Sequence, residues 1–354
     1  MQASFRRIFL SKRYPLRISR GLSTGSENLF VAVSFLGQTG IGELAGTTTE
    51  DGENCDSGLA ELTSFVNQIP PEHPSIQDVW QQARQAGVRP RALAALDMAL
   101  WDALGKAAGL PLWQLFGLAR RAVPTSLTIG INPPEVTRER VPEILSRTGA
   151  RFLKVKLGSP EGLAADKEHF LAAREASAPF RVGIRVDANG GWSLADALHM
   201  QNWLADRQVD YIEQPLVKGA EDQLPELFRQ RVLPIYADES CWFAEDVPKL
   251  ADRVDGVNLK LMKCGGLTEA LRIVAAARAH GLGTMIGCMG ESSVAISAGA
   301  ALSALFDHID LDSHLNLTND PAVGADLVDG CVMPNHRPGH GAVIAGWPDA
   351  FGQP

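Results

Sequence analysis

Three short acidic segments contain the residues whose types and spacing could do chemistry. They read RVDANGG at Asp187, YIEQP at Glu213 and ADES at Asp238, and each ends an apolar, strand-like run. In a barrel of parallel strands, residues at the C-terminal ends of neighbouring strands converge on one point. Three converging anions repel one another unless a cation lies among them, and all-oxygen ligation suits a hard divalent ion. The segments therefore predict a Mg²⁺ site, with Mn²⁺ as a substitute.

Lysines lie on two further strand-like segments. Lys154 and Lys156 are two residues apart in FLKVKL, so both side chains point to the same face of a strand. Lys260, in NLKLMKCGG, lies four predicted strands later, and strands two and six of an eight-stranded ring are opposite each other. Lys156 and Lys260 are therefore predicted to remove a proton from one face of a carbon and return it to the other. Lys263 is expected to point elsewhere and to form a salt bridge in a loop.

The remaining charged residues indicate what the substrate carries. The metal and Lys154 are expected to stabilise the charge that forms on a carboxylate when its α-proton leaves, giving a metal-bound enediolate. Asp310 and Asp312 are two residues apart on the last predicted strand. Two carboxylates that face the pocket would bind an ammonium group of the substrate. The alternative is that these acids cap a helix or a turn at the strand end.

An alternating pattern after Ser126 supplies the elements that must position these side chains. Short apolar segments recur there, with Ala- and Leu-rich helical runs between most of them. Short buried strands that alternate with helices imply a parallel sheet, and eight of them imply a closed TIM-type barrel. The predicted strands span residues 126–131, 152–157, 181–188, 211–215, 233–239, 256–262, 283–289 and 308–312.

The first part of the chain has a different pattern. Residues 4–36 alternate as strands do, with a turn-rich break at residues 21–25, and helical patterns follow at residues 57–62, 77–85 and 92–107. Strands followed by helices, without alternation, indicate an α+β domain. The predicted α/β fold has an α+β domain at residues 1–122, a catalytic (β/α) barrel at residues 123–327 and a C-terminal segment at residues 328–354 that packs back on the first domain.

Composition narrows the class of protein. The chain has 354 residues, of which 45% are hydrophobic, and a formal net charge of −8 with no basic block. This charge argues against nucleic acid or a membrane surface as a partner. Five scattered cysteines without a CxxC motif, and an N-terminus without a sustained apolar run, favour a reduced, cytoplasmic protein. A homo-oligomer is compatible with the sequence.

Five motifs occur in an order that is typical of one known family. They are Lys154-x-Lys156, Asp187-Ala-Asn189, Glu213-Gln-Pro215, Asp238-Glu-Ser240 and the segment from Lys260 to Gly266. With these motifs the chain resembles the muconate lactonizing enzyme subgroup of the enolase superfamily, and residues 95–106 resemble a hallmark of its first domain. The resemblance implies an α+β capping domain, a (β/α)7β barrel and one Mg²⁺.

Within that subgroup the chain resembles the dipeptide epimerases most. The similarity rests on Thr128, on Cys288 and Met289 with Glu291, and on the Asp310-x-Asp312 pair. It implies that both aspartates hold the α-ammonium group of a dipeptide and that Lys156 acts on its second α-carbon. The implied substrates are L-Ala-X dipeptides, bound by Thr128, Lys154, Cys288, Met289, Asp310 and Asp312.

The loop after the first predicted strand bears on the second residue of the dipeptide. Members of the subgroup that act on L-Ala-Glu have an arginine shortly after an Arg-Gly pair, where this chain continues from Arg20-Gly21 to Ser23. Serine cannot pair with a glutamate side chain, so hydrophobic or otherwise non-acidic second residues are predicted. The alternative is that Arg17 or Arg20 reaches the same space and restores glutamate recognition.

Two other functions compete with dipeptide epimerisation. An o-succinylbenzoate synthase or an N-succinylamino acid racemase would share the lysines and the metal-binding acids. Their substrates carry a succinyl carboxylate, which Asp310 and Asp312 would repel. A catalytically silent barrel that acts as a binding protein is the other alternative, and the intact lysines and acids oppose it.

Overall fold

The chain begins with an antiparallel sheet in the computed structural model, which describes residues 1–46, 52–69 and 75–348. Its strands, in the order β1-β2-β3, are β1 (Gln2–Ile18), β2 (Gly21–Phe35) and β3 (Gln38–Leu44). The turn predicted at residues 21–25 is wrong, because these residues belong to β2 and pair with residues 11–18 of β1. Gly25 is required by close packing, since a Cβ atom there would collide with the carbonyl oxygen of Leu10. The hairpin turns instead at Ser19 and Arg20.

Helices follow the sheet, as the sequence predicts. They are α1 (Cys55–Val66), α2 (Ile76–Gln85), α3 (Pro90–Ala108) and the short α4 (Leu112–Leu115). Helix α3 packs its small and aliphatic residues against β3 and β2 and is buried over most of its length. Proline in its first turn and Gly109 with φ of 69° after its last turn are typical helix boundaries.

A barrel of parallel strands forms the second domain and confirms the predicted fold class. Within the described ranges the sheet has eight strands in sequential order, and a bridge between Thr125 and Ile309 joins its two edges. The strands are β4 (Ser126–Ile129), β5 (Phe152–Lys156), β6 (Gly183–Asp187), β7 (Val209–Glu213), β8 (Ile235–Ala237), β9 (Gly256–Lys260), β10 (Gly283–Gly287) and β11 (His308–Asp310). The helices between them are α5 (Pro134–Thr148), α6 (Leu163–Ser177), α7 (Leu194–Ala205), α8 (Leu224–Arg229), α9 (Val247–Leu250), α10 (Leu261–Cys264), α11 (Leu267–Ala279) and α12 (Ser293–Ala300).

Seven of the eight predicted barrel strands are longer than the observed ones, and the difference at β9 affects the site. Leu261 and Met262 were expected to continue β9, but they begin α10 instead. This short helix packs against α3 of the first domain, so a tertiary contact overrides the strand-like pattern. The change of direction after Lys260 matters for the site, because it decides where Lys263 points.

Aromatic side chains close the N-terminal end of the barrel. Tyr211, Tyr236 and His308 lie two residues before Glu213, Asp238 and Asp310 on their strands, so they occupy the layer beneath the acids. The rings of Tyr211 and Tyr236 are 5.0 Å apart, and those of Tyr211 and His308 are 4.8 Å apart. The acidic layer is therefore reached from the C-terminal end of the barrel.

Buried carboxylates of the first domain dock on helix N-termini of the barrel. Glu43 accepts hydrogen bonds from the backbone N–H (2.9 Å) and hydroxyl (2.7 Å) of Ser292, just before α12. Asp97 accepts from the N–H (3.0 Å) and hydroxyl (2.5 Å) of Thr268, in the first turn of α11. A Cβ atom at Gly266, whose φ is 104°, would collide with Asp97. Carboxylates at helix N-termini are favourable, so these contacts hold the capping domain over the barrel mouth.

The C-terminal segment contacts the first domain. The backbone N–H of Leu112 donates to the carbonyl of Gly339 (2.8 Å), and the N–H of His340 donates to Asp102 (3.0 Å). Residues 349–354 of that segment lie outside the described residues, as do residues 47–51 and 70–74 of the first domain. The boundaries at residues 122 and 327 stay predictions.

In the described part of the chain, no helix has the length and apolar composition that crossing a bilayer requires.

Candidate active site

The carboxylates of Asp187, Glu213 and Asp238 converge at the C-terminal end of the barrel. Asp187 and Glu213 are the last residues of β6 and β7, and Asp238 directly follows β8. All three side chains are buried, and one oxygen of each lies within 4.8 Å of the others. The structure therefore brings together the three acids that the sequence singled out.

The electrostatics of this cluster favour a cation. Burial, reinforced by the nearby Asp187 carboxylate, raises the pKa of Glu213 to about 8. Burial also acts to raise the pKa of Asp238, but the ammonium groups of Lys260 and Lys263 outweigh it and hold that pKa well below its usual range. A donor set of carboxylate oxygens in a buried, repulsive cluster fits a hard ion such as Mg²⁺.

Lys156 and Lys260 lie at the two ends of the carboxylate cluster. The Nζ atom of Lys156 is 2.5 Å from Asp187 Oδ2, and that of Lys260 is 2.6 Å from Asp238 Oδ2. The two lysines come from β5 and β9, which are four strands apart in the barrel. The cluster thus has an amine at each end, as a proton transfer between opposite faces requires.

Lys154 lies one layer deeper than Lys156 and has a different environment. Its Nζ atom is 3.0 Å from Glu213 Oε2 and 3.9 Å from Asp187 Oδ2, and it also contacts Asp310. Burial acts to lower the pKa of Lys154, but these carboxylates outweigh it and raise the pKa well above its usual value. A cation in this position is suited to stabilise negative charge on a carboxylate. Burial also acts to lower the pKa of Lys260, but the Asp238, Glu213 and Glu239 carboxylates outweigh it and raise that pKa above its usual value.

Asp310 and Asp312 occupy neighbouring but different positions. Asp310 pairs with Lys154, and its buried Oδ1 atom has no hydrogen-bond partner. Asp312 Oδ2 accepts from the backbone N–H of Thr128 at 2.7 Å, and its Oδ1 lies 3.8 Å from the Cys288 thiol. Burial and the Asp310 charge raise the pKa of Asp312 to about 6. Both carboxylates thus retain the capacity to accept hydrogen bonds from an ammonium group.

A cavity of about 370 Å³ lies above the lysines, within the usual size for a small-molecule site. Its barrel side includes the predicted residues Lys156, Asp238, Lys260, Cys288 and Met289. The capping domain contributes Leu16, Ile18 and Leu22 from the β1–β2 hairpin, and Trp242 completes an apolar wall. Thr128 and Asp312 line a smaller neighbouring cavity, which Leu16 also borders.

Several positioning residues were missed in the sequence. Gln214 Oε1 accepts from the backbone N–H of Asp238 (2.8 Å), and Asn189 Nδ2 donates to Asp187 Oδ2 (3.0 Å). Both residues adopt positive φ angles, 35° and 44°. Asn258 Nδ2 donates to Glu213 Oε1 at 2.7 Å. The sequence contained a signal for these positioning residues. Asn189 and Gln214 belong to the acidic motifs, and Asn258 lies two residues before Lys260, on the same face of the strand.

The prediction for Lys263 is wrong. Its Nζ atom is buried, lies 2.6 Å from Asp238 Oδ1 and donates to the carbonyl of Cys241 at 2.9 Å. The strand ends at Lys260, and residues three apart in the following helical turn lie on the same side. The Lys263 side chain therefore points into the site. It contacts Asp238 Oδ1, whereas Lys260 contacts Asp238 Oδ2.

Of the two arginines considered for glutamate recognition, Arg20 lines the cavity and Arg17 does not, so the alternative stays open for Arg20. Arg20 Nη2 pairs with Glu239 at 2.7 Å, and its Nη1 donates to the carbonyl of Asn189 at 2.6 Å. Arg17 is exposed and lines a separate groove with Ile131. Arg20 instead fastens the turn of the β1–β2 hairpin to the barrel beside the acidic cluster.

Comparison with known proteins agrees with this geometry. The N-terminal domain description of the mandelate racemase/muconate lactonizing enzyme family matches residues 5–117, and an enolase C-terminal domain-like description matches residues 136–347. A hydrophobic dipeptide epimerase of Roseobacter litoralis is 59% identical and aligns over 98% of this chain and 99% of its own.

Solved structures of dipeptide epimerases have the same fold. One from Enterococcus faecalis, in complex with Mg and L-Leu-L-Tyr, has a TM-score of 0.90 and 32% identity, covering 96% of this chain and 98% of that chain. One from Methylococcus capsulatus, in complex with Mg and L-Arg-D-Lys, has a TM-score of 0.86 and 32% identity, covering 97% and 99%.

Proposed function

The chain belongs to the mandelate racemase/muconate lactonizing enzyme family of the enolase superfamily, and on that premise we propose that it is a Mg²⁺-dependent dipeptide epimerase. As an isomerase, it inverts the α-carbon of the second residue of L-Ala-X dipeptides. The observation that carries the proposal is the placement of Lys156 and Lys260 at opposite ends of the carboxylate cluster, 2.5 Å from Asp187 and 2.6 Å from Asp238.

The metal has one role in this mechanism. Asp187, Glu213 and Asp238 would hold Mg²⁺, which supplies positive charge to the substrate carboxylate as its α-proton leaves. Lys154, which lies among the Glu213, Asp187 and Asp310 carboxylates, would add a second positive charge. It would stabilise the negative charge that develops on the substrate carboxylate.

The lysines carry out the proton transfer. The neutral amine of one lysine takes the α-proton and becomes an ammonium group, while the electron pair of the C–H bond moves into the carboxylate. The ammonium group of the other lysine then donates a proton to the opposite face of the same carbon, so the configuration inverts. Both lysines line the same cavity. By microscopic reversibility, the reverse reaction uses the same two groups in exchanged roles.

The paired carboxylates favour a dipeptide over an N-succinyl amino acid. Asp310 has a buried oxygen without a hydrogen-bond partner, and Asp312 is held in place by the N–H of Thr128. An ammonium group compensates these anions, whereas a succinyl carboxylate would add a third. This contrast supports the epimerase over the o-succinylbenzoate synthase and N-succinylamino acid racemase alternatives.

The cavity supports hydrophobic second residues. Leu16, Ile18 and Leu22 line its capping side, and Arg20 is already paired with Glu239. The Roseobacter litoralis relative is named for hydrophobic dipeptides, which agrees with an apolar wall.

A cytoplasmic location is also proposed, because the chain's cysteines are all free.

The proposed function is tested by incubating the protein with Mg²⁺ and a set of L-Ala-L-X dipeptides in D₂O. We expect a mass gain at the second residue, with kcat/KM for L-Ala-L-Leu at least about tenfold above that for L-Ala-L-Glu. Mass spectrometry of the recovered dipeptides measures both quantities. A strong preference for L-Ala-L-Glu would refute the hydrophobic specificity alone, and no deuterium in any dipeptide would refute the epimerase.

N-acetylation of L-Ala-L-Leu is expected to reduce kcat/KM strongly. It removes the cation that Asp310 and Asp312 bind and places a neutral group beside two anions, at a cost of about 2–5 kcal/mol in transition-state binding. The matched control is N-methyl-L-Ala-L-Leu, which is bulkier than the parent but keeps the charge. Equal rates on the acetylated and free dipeptides, measured by deuterium exchange, would contradict the aspartate assignment.

A further inference from the structure

A lysine of the capping domain reaches the active-site cavity without a carboxylate partner. Lys12 lines the cavity from β1, and its Nζ atom donates to Ser23 Oγ at 2.6 Å. Across residues 1–46, 52–69 and 75–348, no carboxylate forms an ion pair with it. Burial lowers the pKa of Lys12 to about 8, so the amine is still mostly charged at neutral pH. A half-buried ammonium group without an acidic partner is costly beside the apolar side chains of Leu16, Ile18 and Leu22.

The position of Lys12 places it near the ammonium-binding end of the cavity. Its backbone bridges to Leu317, and the N–H of Tyr14 donates to Asn316 Oδ1 at 3.0 Å, so this part of β1 runs beside the segment that follows Asp312. Cys288, whose thiol contacts Asp312, lines the same cavity as Lys12. The first residue of a dipeptide whose N-terminus meets Asp312 would extend its side chain toward this region.

We propose that Lys12 determines selectivity for the first residue of the dipeptide by disfavouring lysine and arginine there. The proposal rests on the proposed function. It adds a statement about the charge of the first side chain that the enzyme accepts. Like charges in a partly desolvated cavity repel more strongly than in water, so a cationic side chain meets a penalty that a neutral one does not.

Selectivity of this kind requires a residue of the pocket, because the fold itself tolerates cationic dipeptides. The Methylococcus capsulatus relative was crystallised with L-Arg-D-Lys and shares the architecture at a TM-score of 0.86. Ser23 has a defined part in this arrangement: its hydroxyl accepts from Lys12 and donates to the carbonyl of Gly25 at 3.0 Å. It thereby holds the ammonium group against the hairpin, at the edge of the cavity.

The test compares L-Ala-L-Leu, L-Lys-L-Leu and L-Ala-L-Lys as substrates of the full-length Mg²⁺-loaded protein. The readout is the ratio of kcat/KM for L-Lys-L-Leu to that for L-Ala-L-Leu, measured by deuterium incorporation. We expect Lys12→Met to raise this ratio at least about tenfold and Lys12→Glu to raise it further, as removal and reversal of one nearby charge imply. Arg13→Met, which removes the adjacent exposed cation, is the matched control and should leave the ratio unchanged.

Two outcomes would overturn the proposal while leaving the epimerase intact. One is an unchanged ratio in both Lys12 variants. The other is a gain confined to L-Ala-L-Lys, which would place Lys12 beside the second residue. If the unmodified protein exchanges no dipeptide at all, the proposed function fails and this inference fails with it. Melting curves of the three variants establish that each ratio refers to folded protein.

Discussion

Replacing Lys156 or Lys260 with alanine is expected to abolish epimerisation. Each variant should still exchange the α-proton of one of the two epimers with solvent. Each lysine lies at a different end of the carboxylate cluster, and each is proposed to act on one side of the reacting carbon. Loss of a positioned base reduces the rate of its proton transfer by roughly 10²–10⁴-fold. The remaining lysine should still exchange the α-proton of the epimer presented to it.

The experiment uses L-Ala-L-Leu and L-Ala-D-Leu separately in D₂O and follows loss of the α-proton by NMR. Lys156→Ala and Lys260→Ala should exchange opposite epimers, and neither should interconvert them. Lys249→Ala is the matched control, because that lysine is 69% exposed on the barrel surface and pairs with Asp246, away from the carboxylate cluster. Exchange of both epimers by both variants would mean that another residue is the base.

Neutralising one acid of the cluster is expected to weaken Mg²⁺ binding by about two orders of magnitude or more, because the ion loses one of its few charged ligands. The variants are Asp187→Asn, Glu213→Gln and Asp238→Asn. Titration calorimetry of Mg²⁺ into each folded protein measures the affinity directly, independently of turnover. Exhaustive chelation of the unmodified protein should abolish activity, and restored Mg²⁺ should return it.

Of the three variants, Asp238→Asn should also lower the free energy of unfolding the most. Its carboxylate compensates both Lys260 and Lys263, so its removal leaves two buried ammonium groups with less opposing charge, at a cost of about 3–5 kcal/mol. Glu226→Gln on the exposed face of α8 is the matched control for both measurements. Full turnover after exhaustive chelation would contradict the metal mechanism.

The site shows clearly which features follow from strand periodicity. Side chains two apart on a strand share a face, so Lys154 with Lys156 could be placed on one side without knowledge of the fold. Parallel strands in sequential order end at the same rim, so Asp187, Glu213 and Asp238 could be expected to meet. The strand pattern after Ser126 was regular enough to predict the barrel, and the structure confirms it.

The sequence failed where the chain leaves a strand or where another domain intervenes. Lys263 was misplaced because α10 begins one residue after Lys260, and only packing against α3 reveals that turn. Residues 21–25 were misread because Gly25, which permits close packing against β1, looks like a turn residue in a sequence.

By itself, then, the sequence determined the barrel, the acids at its rim and the two lysines on opposite strands, because these depend on local periodicity and strand order. Only the tertiary structure decided the partners of the charges: Lys154 with Asp310, Arg20 with Glu239, and Lys12 with Ser23 and with no acid among the described residues. The two ion pairs join residues far apart in the chain. The first pair depends on closure of the barrel, and the positions of Arg20 and Lys12 depend on how the capping domain docks on it. No local pattern encodes either.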